Sequence, residues 1–482
     1  MRGKNGGVSK LLGIDIGTSG CKAIVIDETG RVLGQAHAEY GVSIPQPGWS
    51  EQDPELWWEG VQSCLAQLSE WKVDAIGLGG QMHGSVFLDA NDKVIRPAIL
   101  WNDQRTVAEC EEINRTIGAA EVKAITGNPP LTGFQLPKLL WLRNHELSNY
   151  LRVKSVLLPK DYIRFRLTGG MATDVSDASG TGIFDVPKRT WSNTMMCQLE
   201  IDPAFFPKSF ESYEVTGETA HGIPMVAGGG DQAAGAVGTG AVVPGVVSVS
   251  LGTSGVVFTS LSEPEYDSQG RAHTFCHANG AWHAMSVMLS CAGALAWARN
   301  TIFPDLSYAE IGKLAATAPL GANGATFLPY LTGERSPHND PNARAAFGGL
   351  SLATDRASLA RAVFEGVTAG LMDGFEVLQS LGAKSDEIRV SGGGAKGEFW
   401  VQTVADMFGA PCVKMEAEEG PSMGAAILAG VGIGVWSSVQ EAARIVKTKD
   451  RFEPSGAEYS EVRARYAHLY GSLREWCGET AS

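Results

Sequence analysis

The same short pattern occurs twice in this chain, once near its start and once just past its middle. Residues 13–22 read GIDIGTSGCK, and residues 246–260 read VVSVSLGTSGVVFTS. Each copy is an apolar run, a glycine-containing turn and a second apolar run, which predicts two strands joined by a hairpin turn. A pattern repeated in the same frame indicates an internal duplication, and repeats of this kind decide the architecture. We therefore predict two similar domains, 9–245 and 246–482.

Both turns carry groups that suit phosphate. Backbone N–H groups in a glycine turn, together with nearby hydroxyls, can hold phosphate oxygens, and two facing turns could clasp one polyphosphate between two domains. A single turn of this kind usually has no such role, so the prediction depends on the pair. Asp15 precedes the first turn and is a candidate for holding Mg²⁺ through water. The candidate nucleotide-binding residues in the two turns are Gly17, Thr18, Ser19, Gly252, Thr253 and Ser254.

The segment 223–240, IPMVAGGGDQAAGAVGTG, places one carboxylate directly after a strand and three glycines. The apolar residues at its start predict a short buried strand, and the alanine-rich residues after Asp231 predict a helix. Asp231 would then lie at a helix N-terminus, where the helix dipole favours the charged carboxylate. A base in this position can take a proton from a bound hydroxyl. The alternative, that Asp231 only caps the helix, is equally compatible with this segment.

Two polar loops after apolar runs are candidates for a substrate pocket. His83 follows the apolar strand predicted within 73–90, although a single histidine is more often structural. Trp101 and Asp103 follow the apolar residues of AILWNDQRT, 98–106. Aromatic and polar groups at a strand end suit a sugar, but an ion pair between Asp103 and Arg105 explains them nearly as well. Loops positioned by strands carry binding residues more often than chance predicts.

A third glycine turn lies between a predicted strand and a predicted helix in EIRVSGGGAKGEFWVQTVADMFGAPCVK, 387–414. This arrangement presents glycines and a helix N-terminus at the carboxyl end of a strand, a common position for a nucleotide. The segment contains neither GxGxxG nor the Walker pattern GxxxxGK[ST], so a dinucleotide-binding fold and a P-loop are both excluded. The apolar stripe of 355–382 predicts a long core helix before it.

Composition narrows the function classes. The formal net charge of -14 argues against nucleic-acid or anionic-membrane partners, which require a basic surface. Eight cysteines without CxxC pairs predict reduced thiols in a cytoplasmic protein. The N-terminal ten residues lack the apolar core of a signal peptide. No apolar stretch is long enough for a transmembrane helix.

Taken together, these motifs resemble those of the FGGY carbohydrate kinases, within the actin/hexokinase-like ATPase superfamily, over about residues 10–475. The three glycine segments are similar to the family's two phosphate loops and its adenosine loop, and AGGGDQAAGAVG is similar to the segment with the catalytic base. The motifs GQMHG, LWNDQR, LLPKDYIRFRLTG, SDASGTGIFDV and LPYLTGERSPHND are similar to the branch that phosphorylates D-xylulose. Gln232, Gln135 and Ser358 depart from the family's usual patterns.

The resemblance implies an α/β fold of two actin/hexokinase-like (ribonuclease H-like) ATPase domains flanking a catalytic cleft. The sugar would be held mainly by the first domain and ATP mainly by the second. Asp231 would be the catalytic base, and Asp15 would hold Mg²⁺. The implied sugar-binding residues are Met82, His83, Gln232, Trp101 and Asp103. The nucleotide-binding set gains Lys22, Gly393, Gly394 and Lys396.

The implied reaction is ATP-dependent phosphorylation of D-xylulose at its 5-hydroxyl, in xylose catabolism. Gln232 replaces the asparagine common in that branch, so kinases for L-ribulose or glycerol stay open as alternatives. The Met82-His83 pair argues against glycerol, because the glycerol branch has Arg-Glu there. A different class, a non-enzymatic actin-like ATP switch, also remains open. The implied partners are a small sugar and ATP, and a homodimer is left open.

Overall fold

The computed structural model describes residues 8–416 and 420–480. Up to residue 240 the elements in chain order are β1 (Lys10–Ile16), β2 (Gly20–Asp27), β3 (Val32–Glu39), β4 (Glu51–Gln52), α1 (Pro54–Gln67), β5 (Ala75–Gly80), β6 (Val86–Leu88), β7 (Ala98–Ile99), α2 (Val107–Ile117), α3 (Ala119–Thr126), α4 (Gln135–His145), α5 (Leu147–Tyr150), β8 (Ser155–Leu157), α6 (Pro159–Thr168), β9 (Thr173–Asp174), α7 (Val175–Ala178), β10 (Phe184–Asp185), β11 (Thr190–Trp191), α8 (Asn193–Gln198), β12 (Ser209–Phe210), β13 (Val215–Glu218), β14 (Pro224–Val226), β15 (Gly229–Gly230) and α9 (Asp231–Thr239).

The second half follows without a separate linker. Its elements are β16 (Gly245–Leu251), β17 (Gly255–Leu261), β18 (His273–Cys276), β19 (Trp282–Met288), α10 (Ala292–Thr301), α11 (Tyr308–Thr317), β20 (Thr326–Leu328), β21 (Ala346–Gly348), α12 (Arg356–Ser380), β22 (Ser385–Ser391), α13 (Glu398–Phe408), β23 (Cys412–Met415), α14 (Gly420–Gly432), α15 (Val439–Ala442), β24 (Thr448–Phe452) and α16 (Ser460–Thr480). Short 3₁₀ turns include Gly393–Lys396.

Two seven-stranded sheets have the same plan. In the first, the path runs β13-β14-β5-β1-β2-β3, with β15 also paired to β5. In the second, the order β24-β23-β22-β16-β17-β19 follows the same sequence of roles, with β18 at the edge. Each glycine hairpin, β1–β2 and β16–β17, has an antiparallel strand beyond it and a parallel strand beside it. The predicted internal duplication is therefore visible in the topology.

The elements predicted by local signals form where expected. Both apolar-turn-apolar patterns are hairpins, with Ile16 opposite Cys21 and Leu251 opposite Gly255. The long core helix is α12, which begins after Asp355, whose side chain accepts a hydrogen bond from the Ser358 backbone N–H at 2.8 Å. An N-terminal carboxylate of this kind satisfies one of the N–H groups that the helix leaves unpaired. Apolar residues at helical spacing and a suitable N-cap residue are therefore enough to predict such a helix from sequence.

The structure differs from the predicted division of the chain at α14. This helix belongs to the second half in sequence, but it packs on β1, β5 and α9 of the first half. The approach is so close that a Cβ on Gly13 would lie 1.9 Å from the Ser422 carbonyl oxygen, and a Cβ on Gly77 would lie 2.0 Å from that of Ala425. Only glycine lets helix and strand backbones meet at this distance. Residues 420–432 therefore belong to the core of the first sheet.

The apolar cores follow from these layers. One face of the first sheet packs against α1 and α6, and the other packs against α9 and α14. The second sheet shares one large core with α10 to α13 and α16. Six of the eight cysteines are buried. Within residues 8–416 and 420–480, every helix is too short or too polar to cross a bilayer.

Candidate functional site

The carboxyl ends of three parallel strands bring Asp15 and Asp231 to one edge of the first sheet. Gly79 of β5 pairs with Asp15 of β1 on one side and with Gly229 of β15 on the other. Asp231 follows β15 directly, and neighbouring strands lie about 4.8 Å apart. The strand of Asp15 and the strand that leads into Asp231 are therefore two strand spacings apart, about 10 Å. Both carboxylates therefore belong to the same end of the first sheet, with the glycines of β5 between their strands.

Asp231 is the first residue of α9, and Gly230 occupies the cap position. The alternative of a capping aspartate is therefore not what the structure shows. Burial raises the pKa of Asp231 from 3.8 to about 6, although hydrogen bonds from Gln232 act in the opposite direction. The expected effect of the helix dipole is outweighed, because removal from water disfavours the charged form. A carboxylate with this pKa is still mainly ionised at pH 7 and is a stronger base than an exposed one.

A buried polar cluster holds β15, the strand that leads into Asp231. The ammonium of Lys160 contacts Asp161 at 2.6 Å and Asp174 at 2.9 Å, and these three side chains are essentially inaccessible to water. The Ser176 hydroxyl donates to Asp174 at 2.5 Å and accepts from the Gly230 backbone N–H at 3.2 Å. Sequence reasoning assigned no role to this cluster. The motif LLPKDYIRFRLTG was its signal, because Lys and Asp are rarely fully buried unless paired.

Met82 lies against the residue that precedes Asp231, and His83 follows Met82 in the chain. A Cβ on Gly230 would lie 2.8 Å from Met82 Cγ, so Met82 packs directly against the residue before Asp231. His83 has φ of 69°, a left-handed conformation that side chains seldom adopt. Backbone strain of this kind concentrates at functional sites.

The hydrogen bond of His83 fixes its chemical role. Its Nδ1 lies 2.6 Å from the Gly180 carbonyl oxygen. A carbonyl can only accept, so Nδ1 carries the proton and Nε2 is an acceptor. Burial lowers the pKa of His83 to about 3, so the ring is neutral at working pH. His83 can therefore accept a hydrogen bond from a sugar hydroxyl through Nε2.

Lys138 supports His83 from behind, and sequence reasoning missed it. Its ammonium donates to the carbonyl oxygens of His83 at 2.8 Å and Gly133 at 2.6 Å. Burial lowers the pKa of Lys138 well below its ordinary value. The donation holds the left-handed His83 backbone in place. A lysine inside the apolar helix sequence QLPKLLWL was the available signal.

Hydrogen bonds to its backbone carbonyl oxygens hold the first glycine turn in place. Tyr40 donates its hydroxyl to the Gly17 carbonyl oxygen at 2.8 Å, and Gln52 donates to that of Thr18 at 2.7 Å. The Tyr40 backbone N–H donates to the Ser19 carbonyl oxygen at 3.1 Å. With the acceptors of the turn tied to the body of the domain, the turn is suited to present donors to an anion.

The hydroxyl of Thr18 has a different task from the one predicted. It donates to Gln81 Oε1 at 3.0 Å and accepts from Trp101 Nε1 at 3.0 Å. Its single proton is thus used within the protein, so Thr18 can serve phosphate only through its backbone. Trp101 is 43% exposed. The indole therefore joins the predicted sugar pocket to the predicted phosphate turn.

Asp103 is not a sugar ligand in this structure. Its side chain is fully buried, and Arg105 binds both carboxylate oxygens, at 2.9 and 2.7 Å. The Ser50 backbone N–H occupies one of them as well, at 2.6 Å. The predicted alternative, an Asp–Arg pair, is correct, although the pair is interior. Its role is to hold the loop that carries Trp101.

The second and third glycine turns lie against each other in the second half. The carbonyl oxygen of Gly252 accepts from the Ala292 N–H at 2.8 Å, and that of Thr253 accepts from Cys291 at 2.9 Å. A Cβ on Gly392 would lie 2.9 Å from the Gly252 backbone nitrogen. Thr253 and Ser254 are exposed, and so are Gly393 and Lys396 on the 3₁₀ turn Gly393–Lys396, whereas Gly394 is half-buried.

An open cavity of about 780 Å³ adjoins the first turn, lined by Asp15, Gly17, Ser19, Gly20, Lys22, His37, Glu39, Tyr40 and Gly41. Asp15 and Lys22 are paired across β1 and β2, so their backbones lie side by side at its wall. Within the described residues no three His, Cys, Asp or Glu side chains form a metal cage. Mg²⁺ in kinases needs only one or two carboxylates together with substrate phosphates, so Asp15 fits this ion.

Comparison with known proteins identifies relatives over nearly the whole chain. Residues 10–238 match the N-terminal domain of the FGGY family of carbohydrate kinases, and residues 247–433 match its C-terminal domain. Xylulose kinase of Escherichia coli (strain K12) is 41% identical over 484 residues, covering 96% of this chain and 99% of its own. Xylulose kinase of Bacillus subtilis (strain 168) is 35% identical, covering 96% and 97%.

A solved structure shows the same fold. The crystal structure of a "xyloylose kinase" from Brucella ovis is 36% identical and superposes with a TM-score of 0.92, covering 97% of this chain and 100% of that one. The predicted α/β fold class of two actin/hexokinase-like domains is confirmed.

Proposed function

We propose that this chain, which belongs to the FGGY family of carbohydrate kinases, transfers the γ-phosphoryl group of ATP to the 5-hydroxyl of D-xylulose. The products would be D-xylulose 5-phosphate and ADP, in xylose catabolism. The observation that carries the proposal is Asp231, a base with a pKa of about 6, at a strand-to-helix junction that packs against Met82. The curated xylulose kinases that cover the chain support the same substrate.

Asp231 is the proposed general base. As the 5-oxygen forms its bond to the γ-phosphorus, the hydroxyl proton passes to the Asp231 carboxylate, and the bond from phosphorus to the bridging β,γ-oxygen breaks. The electron pair of that bond leaves with ADP. A positioned base of this kind contributes about 10²-fold to 10⁴-fold to the rate. Gln232 orients the carboxylate by hydrogen bonding to it.

The proposed phosphate site is formed by the first two glycine turns. Their carbonyl groups are tied inward, which suits N–H donation to the γ-phosphate oxygens as charge redistributes among them. Asp15 would hold Mg²⁺, which supplies charge neutralisation to the phosphates. Lys22 shares the cavity wall with Asp15 and adds positive charge there.

The proposed nucleotide site lies at the third turn. Gly393 has no atom within 4 Å of the position that a Cβ would occupy, so the adenosine can lie against the backbone there. Lys396 is exposed at the end of the same turn, where a cation suits the nucleotide phosphates. We accordingly assign the sugar mainly to the first sheet and ATP mainly to the second.

The test is ADP release in a coupled assay with Mg-ATP and an equal concentration of D-xylulose, L-ribulose, glycerol or gluconate. The proposal predicts strong preference for D-xylulose. Preference for another acceptor would contradict the substrate assignment while leaving Asp231 and the turns in their roles. We also propose a cytoplasmic location, because eight cysteines without CxxC pairs suit reduced thiols.

A further inference from the structure

Arg335 differs from the other partly or fully buried arginines of the described residues. Each of the others has a side-chain hydrogen bond or an ion pair with a described residue. The Arg335 guanidinium has neither, and only its backbone N–H is bonded, to Glu334 Oε1 at 2.7 Å. Burial lowers the pKa of Arg335. The donors of this guanidinium have no acceptor among the described residues, and a bound acceptor would supply one.

The backbone on both sides of Arg335 is anchored to the end of β19. Glu334 Oε1 accepts from the Leu289 N–H at 2.9 Å. The Ser336 N–H donates to the Val287 carbonyl oxygen at 3.0 Å, and the Val287 N–H donates to Ser336 Oγ at 3.1 Å. Arg335 is therefore a fixed feature of the second half and not part of a loose loop.

Contacts lead from this anchor to the sugar-binding histidine. Val287 packs in an apolar cluster with Phe134 and Phe275, which come from opposite halves of the chain. The His83 ring lies 4.7 Å from the Phe134 ring and 6.3 Å from the Phe275 ring. In addition to burial, the charge of Arg335 lowers the pKa of His83. The backbone beside Arg335 and the His83 ring therefore adjoin the same apolar cluster, which joins the two halves.

The chemistry of the sugar decides which of its groups could meet this pair. Under the proposed function the reacting hydroxyl meets Asp231, Met82 contacts the residue before Asp231, and His83 follows Met82 in the chain. A 2-ketopentose in its furanose form uses its 5-oxygen to close the ring on C2. Phosphorylation at that oxygen therefore requires the open chain, in which the C2 carbonyl is free. A carbonyl only accepts hydrogen bonds, and a guanidinium only donates them.

We propose that Arg335 donates hydrogen bonds to the C2 carbonyl oxygen of the open-chain sugar, while Nε2 of His83 accepts from the neighbouring C1 hydroxyl. The inference rests on the proposed function and adds a sugar contact from the second half. The pair would recognise the 1-hydroxy-2-keto group, because Arg335 donates to the carbonyl oxygen and His83 accepts from the hydroxyl. Sugar binding would then link both halves and select ketoses over polyols.

Arg335→Gln tests this role with D-xylulose and ATP varied separately. We expect kcat/KM for D-xylulose to fall about 10-fold to 100-fold, as for loss of a hydrogen bond from a charged donor. The KM for ATP and the ATP hydrolysis seen without sugar should stay within about threefold. Arg335→Lys should recover part of the loss, because it restores charge without the planar pair of donors. Removing Arg335 breaks no side-chain hydrogen bond and takes away only its charge beside Glu334, so thermal stability should change little.

The matched control is Arg356→Gln, since Arg356 is 52% exposed and pairs with Asp305 on the surface. Arg356→Gln should change neither kcat/KM for D-xylulose nor the KM for ATP. Xylitol, which has a hydroxyl in place of the C2 carbonyl, is measured as a competitive inhibitor. Its inhibition constant should change less than about threefold in Arg335→Gln.

The possible failures can be told apart. Unchanged kcat/KM for D-xylulose in Arg335→Gln would overturn the inference and leave the proposed function intact. A change confined to the KM for ATP would assign Arg335 to the nucleotide and also overturn it. Equal losses for D-xylulose and xylitol would contradict recognition of the carbonyl. A wild-type chain that does not turn over D-xylulose would contradict the proposed function and this inference with it.

Discussion

Replacement of Asp231 by asparagine separates catalysis from stability, because the two effects have opposite signs. Asparagine keeps the size of the side chain and caps helices as well as aspartate, but it cannot take a proton at neutral pH. We expect kcat to fall at least 10²-fold, the lower range for a positioned base. If Asp231 were only a helix-start residue, the substitution would have little effect on turnover.

The magnitude of the stability effect follows from burial. A rise in pKa from 3.8 to about 6 means that, at pH 7, the fold disfavours the ionised carboxylate by up to about 3 kcal/mol. The part of the carboxylate that water reaches reduces this figure. The pKa of Asp231 is higher in the folded state than in the unfolded state. The protonated carboxyl therefore stabilises the fold at low pH, and this contribution to the free energy of unfolding is lost as pH rises from 3.8 to about 6. Asp231→Asn should therefore unfold at an equal or higher temperature than wild type at pH 7.

Steady-state kinetics and thermal unfolding between pH 5 and pH 8 check both effects. Wild-type kcat/KM should fall about tenfold per pH unit below pH 6, since the protonated carboxylate is not a base. Asp53→Asn is the matched control, because Asp53 only caps α1 by accepting from the Glu55 N–H at 3.0 Å. Turnover within tenfold of wild type in Asp231→Asn, or a lower unfolding temperature, would refute the reasoning.

Three further outcomes are expected. Thr18→Val breaks the Trp101–Thr18–Gln81 hydrogen bonds and should lower kcat at least threefold, while Thr18→Ser should not; equal kinetics for both variants would contradict the link. Gly393→Ala should raise the KM for ATP without loss of stability, whereas Gly394→Ala should destabilise the fold by about 1–3 kcal/mol, since its Cβ would lie 2.7 Å from Trp400. D-xylulose with an ATP analogue should reduce the radius of gyration by closing the cleft, and scattering curves that do not change would exclude closure.

Local signals explain what the sequence predicted correctly. Glycine turns between apolar runs defined both hairpins, and the helical period with Asp355 defined α12, because turn chemistry and amphipathic periodicity are properties of neighbouring residues. The strand-to-helix junction at Asp231 was predicted for the same reason. Its raised pKa was not, since burial depends on the residues that the fold brings around it.

Long-range contacts explain what the sequence did not predict. The position of α14 depends on Gly13 and Gly77, which lie more than 300 residues earlier in the chain. The absence of a side chain at these two glycines lets the backbone of α14 pack closely against them. The sequence made Asp103 a candidate sugar ligand, but in the structure its carboxylate is bound by Arg105. The unpartnered guanidinium of Arg335 becomes visible only when the partners of all the other enclosed arginines are known. Such features are set by tertiary packing, which single-sequence patterns do not encode.

The most direct test of the account is the acceptor preference of the purified chain with Mg-ATP, measured as ADP release. The account predicts that D-xylulose is used in strong preference to L-ribulose, glycerol and gluconate, with one ADP formed for each sugar phosphorylated. ADP release that does not depend on any sugar in this set would contradict the assignment of Asp231, Met82 and His83 to a D-xylulose site.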